Sequence, residues 1–289
     1  MKSKQTAKKI VAADGLNIFY WITWNRSLRK PFAVLHPAAS MNHSSLEALE
    51  HGLQERSHPT VILDPRGVGY SDKPVERSYY SLDAFRQDLE TILTKEGIEK
   101  PLLMGHSMGF MPLVAYAAYT TNAQQLTGIC ASYNFYATAP SKLLFYAFDN
   151  FLRYVDYVAS ITSGLRHAIR REQRIYPDQS QLVGSPEWKI LLAINDVPLR
   201  ELPAHIASGK EMLTWNISSY LRKVSSKIPV LMIHAQQDKM IKLNLVEQEI
   251  RNHAKPIHYV ILQGRHSLPV TNPSAVLCTF DSYIYASLT

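Results

Sequence analysis

The 289-residue sequence contains two cysteines, Cys130 and Cys278. One pair can form at most one disulfide, so a cystine-stapled scaffold is excluded. No CxxC and no His/Cys run with metal-ligand spacing occurs, and no metal is expected. Buried free thiols are the expectation, and with them a reducing, cytoplasmic compartment. No apolar run of about 18 residues free of charge is present, so no membrane-spanning helix is expected. The opening MKSKQTAKKI is basic with no apolar stretch behind it, and a secretory signal is not expected. Phosphate-cradling glycine patterns are missing as well. There is no P-loop, and the segment Gly67 to Asp72 puts Asp72 where a dinucleotide fingerprint needs its third glycine. No cofactor is therefore expected.

Charge is present but unpatterned. Lys and Arg number 31 against 24 Asp and Glu, a formal net charge of +7. A nucleic-acid binder would show a basic stripe on a recognised module, and none is visible. No nucleic-acid partner is expected, and the excess reads as solubility with mild attraction to anionic surfaces. One denser stretch, Arg166, Arg170, Arg171 and Arg174, reads as a solvated helix face. With 46% hydrophobic and 19% charged residues, the chain has the means for a sizeable core and is not a disordered or low-complexity sequence.

Short apolar strand-like runs alternate with amphipathic stretches. Lys9 to Trp24 reads as a hairpin around the turn signal Asp14-Gly15. PFAVLHP, TVILDPRG, PLLMGHSMG, LTGICASYNF, IPVLMIHAQQD and HYVILQGRH read as strands, several ending in turn residues. Leu46 to Arg56, Ser81 to Lys95 (Ser81 as N-cap), Phe110 to Thr120 and a last segment from Pro273 read as helices. This order predicts an α/β fold with a mainly parallel sheet. Strand signals vanish between 137 and 222, a helical, aromatic-rich stretch. The chain is thus expected to comprise a core of residues 1–136 and 223–289 with an inserted helical cap, residues 137–222.

Gly105-His106-Ser107-Met108-Gly109 follows a strand run and precedes a helix. A strand reversing sharply into a helix strains the central residue, and flanking glycines remove the side chains that would collide. The serine oxygen is then pushed out over a helix N-terminus, which favours negative charge. With Leu35-His36-Pro37-Ala38, the segment DPRGVGYSDKP from Asp64, a late acid and a late histidine, this pattern resembles the α/β-hydrolase family over nearly the whole core. The resemblance implies that family's fold, a mostly parallel sheet with a helical lid, and a serine served by a base and an acid in the order Ser, Asp or Glu, His.

A serine hydroxyl is a weak nucleophile at neutral pH without an oriented base. On the family's pattern the nucleophile is Ser107, the acid Asp238 and the base His266, the last two after late strands. Asp156 is a reserve acid within the cap segment. Some relatives carry the acid after the preceding strand, but there the sequence has Tyr133-Asn134 and no carboxylate. His106 is assigned a packing or hydrogen-bond role, and His234 is expected to be buried in a strand. The oxyanion donors implied are the backbone N–H groups of Met108 and Ala38. Where the family usually has His-Gly-X, this chain has His36-Pro37-Ala38. Pro37 cannot donate, so Ala38 takes that role, His36 braces the loop, and Ser40 or Asn42 could add side-chain donors. The glycine turn from Arg66 to Asp72 reads as structural.

The aromatics from Tyr133 to Tyr157 pack the cap and wall a pocket for an apolar group, with Tyr133, Phe135 and Phe145 the assigned substrate-binding residues. Trp188 and Trp215 are further candidates. The resemblance implies a small-molecule ester or lactone substrate and an acyl-enzyme esterase. Lactonase, C–C bond hydrolase, amidase and cofactor-free perhydrolase share the same triad. A serine rather than an aspartate argues against a dehalogenase or epoxide hydrolase. A non-catalytic protein sensing a small ligand is the alternative of another class.

Overall fold

The computed structural model describes residues 5–24, 30–138, 202–251 and 257–288. Its strands are β1 (Gln5–Val11), β2 (Asn17–Thr23), β3 (Ala33–His36), β4 (Thr60–Leu63), β5 (Leu102–His106), β6 (Gln125–Ile129), β7 (Val230–Ala235) and β8 (His258–Leu262). They form one sheet in the order β1-β2-β4-β3-β5-β6-β7-β8. β2 pairs antiparallel with β1 and β4, and the six strands from β4 to β8 run parallel. The β1–β2 turn closes through Gly15, at φ +88°, whose N–H donates to the Ala12 carbonyl at 2.9 Å. The hairpin is longer than expected at its start, beginning at Gln5.

Helices cover both faces. They are α1 (Glu47–Glu55), α2 (Leu82–Glu96), α3 (Phe110–Thr120), the short α4 (Phe135–Thr138), α5 (Leu202–Met212), α6 (Ser218–Ser225), α7 (Leu243–Arg251), α8 (Leu268–Thr271) and α9 (Pro273–Leu288). The continuous apolar strand runs follow from this cladding. Alternate residues point to opposite sides and both sides are buried. Val34, Val61, Leu103 and Met232 face α2, α3 and α6, while Leu35, Ile62, Met104 and Ile233 face α1 and α9. Ser81 caps α2, its Oγ accepting from the Ala84 N–H at 3.2 Å. α2 closes on Gly97 in the left-handed region.

Two expectations are corrected. The LTGICASYNF run is not strand throughout, because β6 stops at Ile129 and Cys130 turns left-handed at φ +47°. The cysteines are free, but only Cys130 is buried. Cys278 is exposed, since the register of α9 points Val276, Leu277 and Phe280 inward instead. α6 crosses residue 222, the last residue assigned to the cap, and Ile217, Leu221 and Val224 lie in the main core together with Trp215. Most of the segment assigned to the cap, residues 139–201, lies outside the described residues. Among the described residues no helix is long and apolar enough to cross a membrane.

The segment after β4 is anchored by charge. Arg66, 2% exposed, donates to both carboxylate oxygens of Asp88 on α2 at 2.7 and 2.6 Å and to Asp14 in the hairpin turn at 2.6 Å. Asp64 accepts from the N–H groups of His43 and Tyr70, each at 2.8 Å, and Ser71 Oγ donates to the Asp64 carbonyl. These bonds tie loops to one another, as expected for a structural turn.

Candidate active site

β5 ends at His106, residues Ser107–Gly109 make one 3₁₀ turn, and α3 starts at Phe110. Ser107 sits at φ +52°, a conformation costing a non-glycine residue about 1–3 kcal/mol. The neighbouring glycines make the turn sterically feasible. A Cβ on Gly105 would lie 2.5 Å from the backbone N and Cα of Phe110. One on Gly109 would lie 2.2 Å from the Pro37 carbonyl oxygen and 2.4 Å from that of His36. Helix and neighbouring loop therefore close around the serine only because both positions lack side chains.

His266, in the turn after β8, reaches Ser107 through Nε2 at 2.9 Å from Oγ. Its Nδ1 lies 2.8 Å from Oδ2 of Asp238, which follows β7. A carboxylate oxygen only accepts, so Nδ1 carries the proton and Nε2 is left to accept from the serine hydroxyl. The other Asp238 oxygen accepts from the backbone N–H groups of Met240 at 2.8 Å and Ile241 at 3.1 Å. Burial alone would raise the Asp238 carboxyl, but the hydrogen bond and charge of His266 and the two N–H groups outweigh it and hold it below its usual value. Asp238 thus stays ionised, with a fully buried side chain, while that of His266 is 11% exposed. Chemically, the series can pass a proton from hydroxyl to imidazole and stabilise the resulting cation.

His106 supports this series from below. A backbone carbonyl only accepts, so its Nε2–H donates to the His266 carbonyl at 2.9 Å. Burial, and next the neighbouring His266, push the His106 ring down to about 3, so it is neutral. His234 is fully buried inside β7, and burial lowers it to about 4. Neither of its nitrogens has a hydrogen-bond partner among the described residues.

The loop after β3 runs beside the elbow, since His36 pairs with Gly105 across β3 and β5. The Met108 N–H precedes the first helical hydrogen bond of its turn. The Ala38 N–H has no acceptor among the described residues. Buried His36, lowered by that burial to about 4, donates from Nδ1 to the Pro37 carbonyl at 2.9 Å and so fixes the peptide leading into Ala38. Asn42 Oδ1 instead accepts from the Ser44 N–H and hydroxyl, capping the next turn, and Ser40 is exposed at φ +57°.

Tyr133 and Phe135 are partly buried and pack against the core cluster that includes Met108. Phe145, Asp156, Trp188 and the four arginines lie outside the described residues. Trp215 is buried edge-on against Phe85, ring centroids 5.1 Å apart. Sequence reasoning missed Cys130, whose sulfur lies with donor atoms of Asp238 and His266, all within 4.8 Å of one another. It is the one grouping of His, Cys and carboxylate compact enough for a metal among the described residues, yet both His266 nitrogens already hold other partners.

The alpha/beta hydrolase fold model matches residues 34–273. A proline iminopeptidase from Flavobacterium johnsoniae is 23% identical over 242 residues, 74% of this chain and 76% of that protein. Human epoxide hydrolase 4 is 30% identical over 136 residues, 47% of this chain and 31% of that protein. An esterase from Exiguobacterium antarcticum superposes with a TM-score of 0.73 at 18% identity, covering 96% of this chain and 99% of the other. An enol-lactonase from Burkholderia xenovorans LB400 gives 0.70 at 18%, covering 96% and 100%. With strand order, elbow and family model in agreement, the chain belongs to the alpha/beta hydrolase fold family.

Proposed function

We propose that the protein is a serine hydrolase that cleaves carboxylic esters through an acyl-enzyme on Ser107. The observation that carries the reading is the bridging His266 ring, 2.9 Å from Ser107 Oγ and 2.8 Å from Asp238, beside a serine strained to φ +52°. Ser107, His266 and Asp238 then form the catalytic triad. Ser107 Oγ attacks the ester carbonyl while its proton passes to His266 Nε2. The Met108 and Ala38 N–H groups receive the oxyanion. Collapse expels the alcohol, which takes the His266 proton. Water attacks the acyl-enzyme, gives its proton to His266, and the acid leaves as Ser107 is reprotonated.

In this reading a lid over the strand ends is drawn from residues 137–222, whose last part, Trp215 to Leu221, packs on the core, and Tyr133, Phe135 and Phe145 line an apolar pocket for a small ester or lactone. Two free thiols accord with the cytoplasm as its location. A second reading, cleavage of an N-terminal prolyl amide, is favoured by the relatives named proline iminopeptidase that span three quarters of the chain. It uses the same acyl-enzyme with an amine as leaving group.

The test is a panel of short p-nitrophenyl esters, a lactone and proline p-nitroanilide, with wild type and Ser107→Ala. Ester turnover lost in the variant, with a phosphonate adduct on Ser107 by mass spectrometry, is the expected result. Turnover of the anilide alone transfers the assignment to the amide. Absence of all turnover and of the adduct in wild type defeats both and favours a ligand-binding protein.

A further inference from the structure

The acid of the site has a neighbour that the proposed reaction does not use. β6 ends at Ile129, and Cys130 follows in the left-handed region at φ +47°. That region suits glycine, and a thiol-bearing residue is held there only against strain. The side chain is fully buried and makes no disulfide. The Cys130 backbone is pinned, its N–H donating to the Ile233 carbonyl of β7 at 2.7 Å. The turn thus aims the sulfur at the Asp238 carboxylate and the His266 ring, within 4.8 Å of both donor atoms. Burial, and then the charge of Asp238, push the thiol well up, so it remains an S–H group. An ionised carboxylate beside a protonated thiol is an acceptor facing a donor.

We propose that Cys130 is a positioning residue of the site: its S–H donates to Asp238 and fixes the carboxylate plane against His266 Nδ1. The assignment rests on the serine-hydrolase reading for its kinetic consequence, though not for its geometry. Asp238 would then be held from three directions. Backbone N–H groups of Met240 and Ile241 hold one oxygen, and the imidazole and the thiol complete the set. The strain at Cys130 has a purpose in this account, because a relaxed backbone would turn the sulfur elsewhere.

Three variants test it. Cys130→Ser keeps an O–H donor, Cys130→Ala removes it, and Cys130→Gly removes it while suiting the positive φ, so at least one donor-free variant retains the fold. Expected is a fall in kcat of about fivefold to tenfold in the alanine and glycine variants, the scale of one orienting hydrogen bond, with KM within about twofold. The serine variant should stay near wild type. A second readout needs no turnover: the low-field proton resonance of the His266 Nδ1–H bonded to Asp238 should broaden without the donor and persist in Cys130→Ser. Equal kcat in all four proteins with an unchanged resonance overturns the proposal. So does a lower Tm with kcat and resonance unaltered, which marks a purely structural residue. If wild type turns over no ester and labels no serine, the hydrolase reading fails, while the resonance still decides the role of Cys130.

Discussion

His106 and His266, 160 residues apart along the chain, are joined by a 2.9 Å hydrogen bond from the His106 ring to the His266 backbone carbonyl. The residue preceding the strained serine thereby anchors the loop that carries the imidazole. Removing the ring in His106→Ala should lower kcat/KM by about 10- to 100-fold, because small displacements of reacting groups are costly in rate. His106→Gln, which can still donate, should recover part of the loss. Steady-state kinetics on a p-nitrophenyl ester checks this, and equal activity in the two variants counts against it.

Asp238→Asn tests the proton arrangement. An amide can present an N–H to His266 Nδ1, which shifts the ring proton to Nε2 and removes the acceptor for Ser107. The expected loss is about 10⁴-fold in kcat with a folded protein of near wild-type Tm. A loss below about tenfold would mean that the carboxylate does not set the tautomer.

Two glycines should respond in opposite directions. Gly109→Ala drives a methyl group to 2.2 Å from the Pro37 carbonyl oxygen, so the loop leading to Ala38 must move. Activity should collapse and Tm should fall. Gly209, within α5, has nothing within 4 Å of an added Cβ. Gly209→Ala should stabilise the protein by about 0.5–1 kcal/mol through reduced freedom of the unfolded chain and better helix propensity. Thermal melts of the two variants side by side are the measurement.

Acid should weaken the fold in a defined window. Burial lowers His36 and His234 to about 4 and His106 to about 3, each from an ordinary value of 6.5. Between pH 6.5 and those values the unfolded chain binds protons that the folded chain refuses. Stability is therefore lost as pH falls through this range, by up to about 1.4 kcal/mol per pH unit for each histidine. Above pH 6.5 these groups contribute no slope. Melting curves from pH 8 to 4 should show the decline, with a shallower slope in His234→Leu. An identical slope in that variant would contradict the account.

What the sequence made legible was local. Glycines at 105 and 109 around a serine, between an apolar strand and an apolar helix, encode the elbow in a few adjacent residues. Asp238 and His266 are marked by their places just beyond β7 and β8. What stayed hidden depends on distant parts of the chain. No pattern near Cys130 announces that it breaks out of β6 and faces Asp238, and an apolar run extending to Phe135 reads as continued strand. The outward position of Cys278 depends on the rotational register of α9, which its evenly apolar sequence does not set. The His106 ring finds its acceptor only once β5 and the β8 turn are side by side.

The chain leaves the sheet at Ile129 and re-enters at Val230, yet β6 and β7 are direct parallel neighbours. Both ends of the intervening segment are consequently moored at fixed points whatever its length. The entropy of closing such an excursion grows only logarithmically, about 0.6 kcal/mol for each doubling. Lengthening or exchanging the part of that stretch between α4 and α5, which leaves Trp215, Ile217, Leu221 and Val224 in the core, should therefore leave the scaffold standing, so evolution, or an engineer, can revise molecular selectivity there almost independently of thermodynamic robustness.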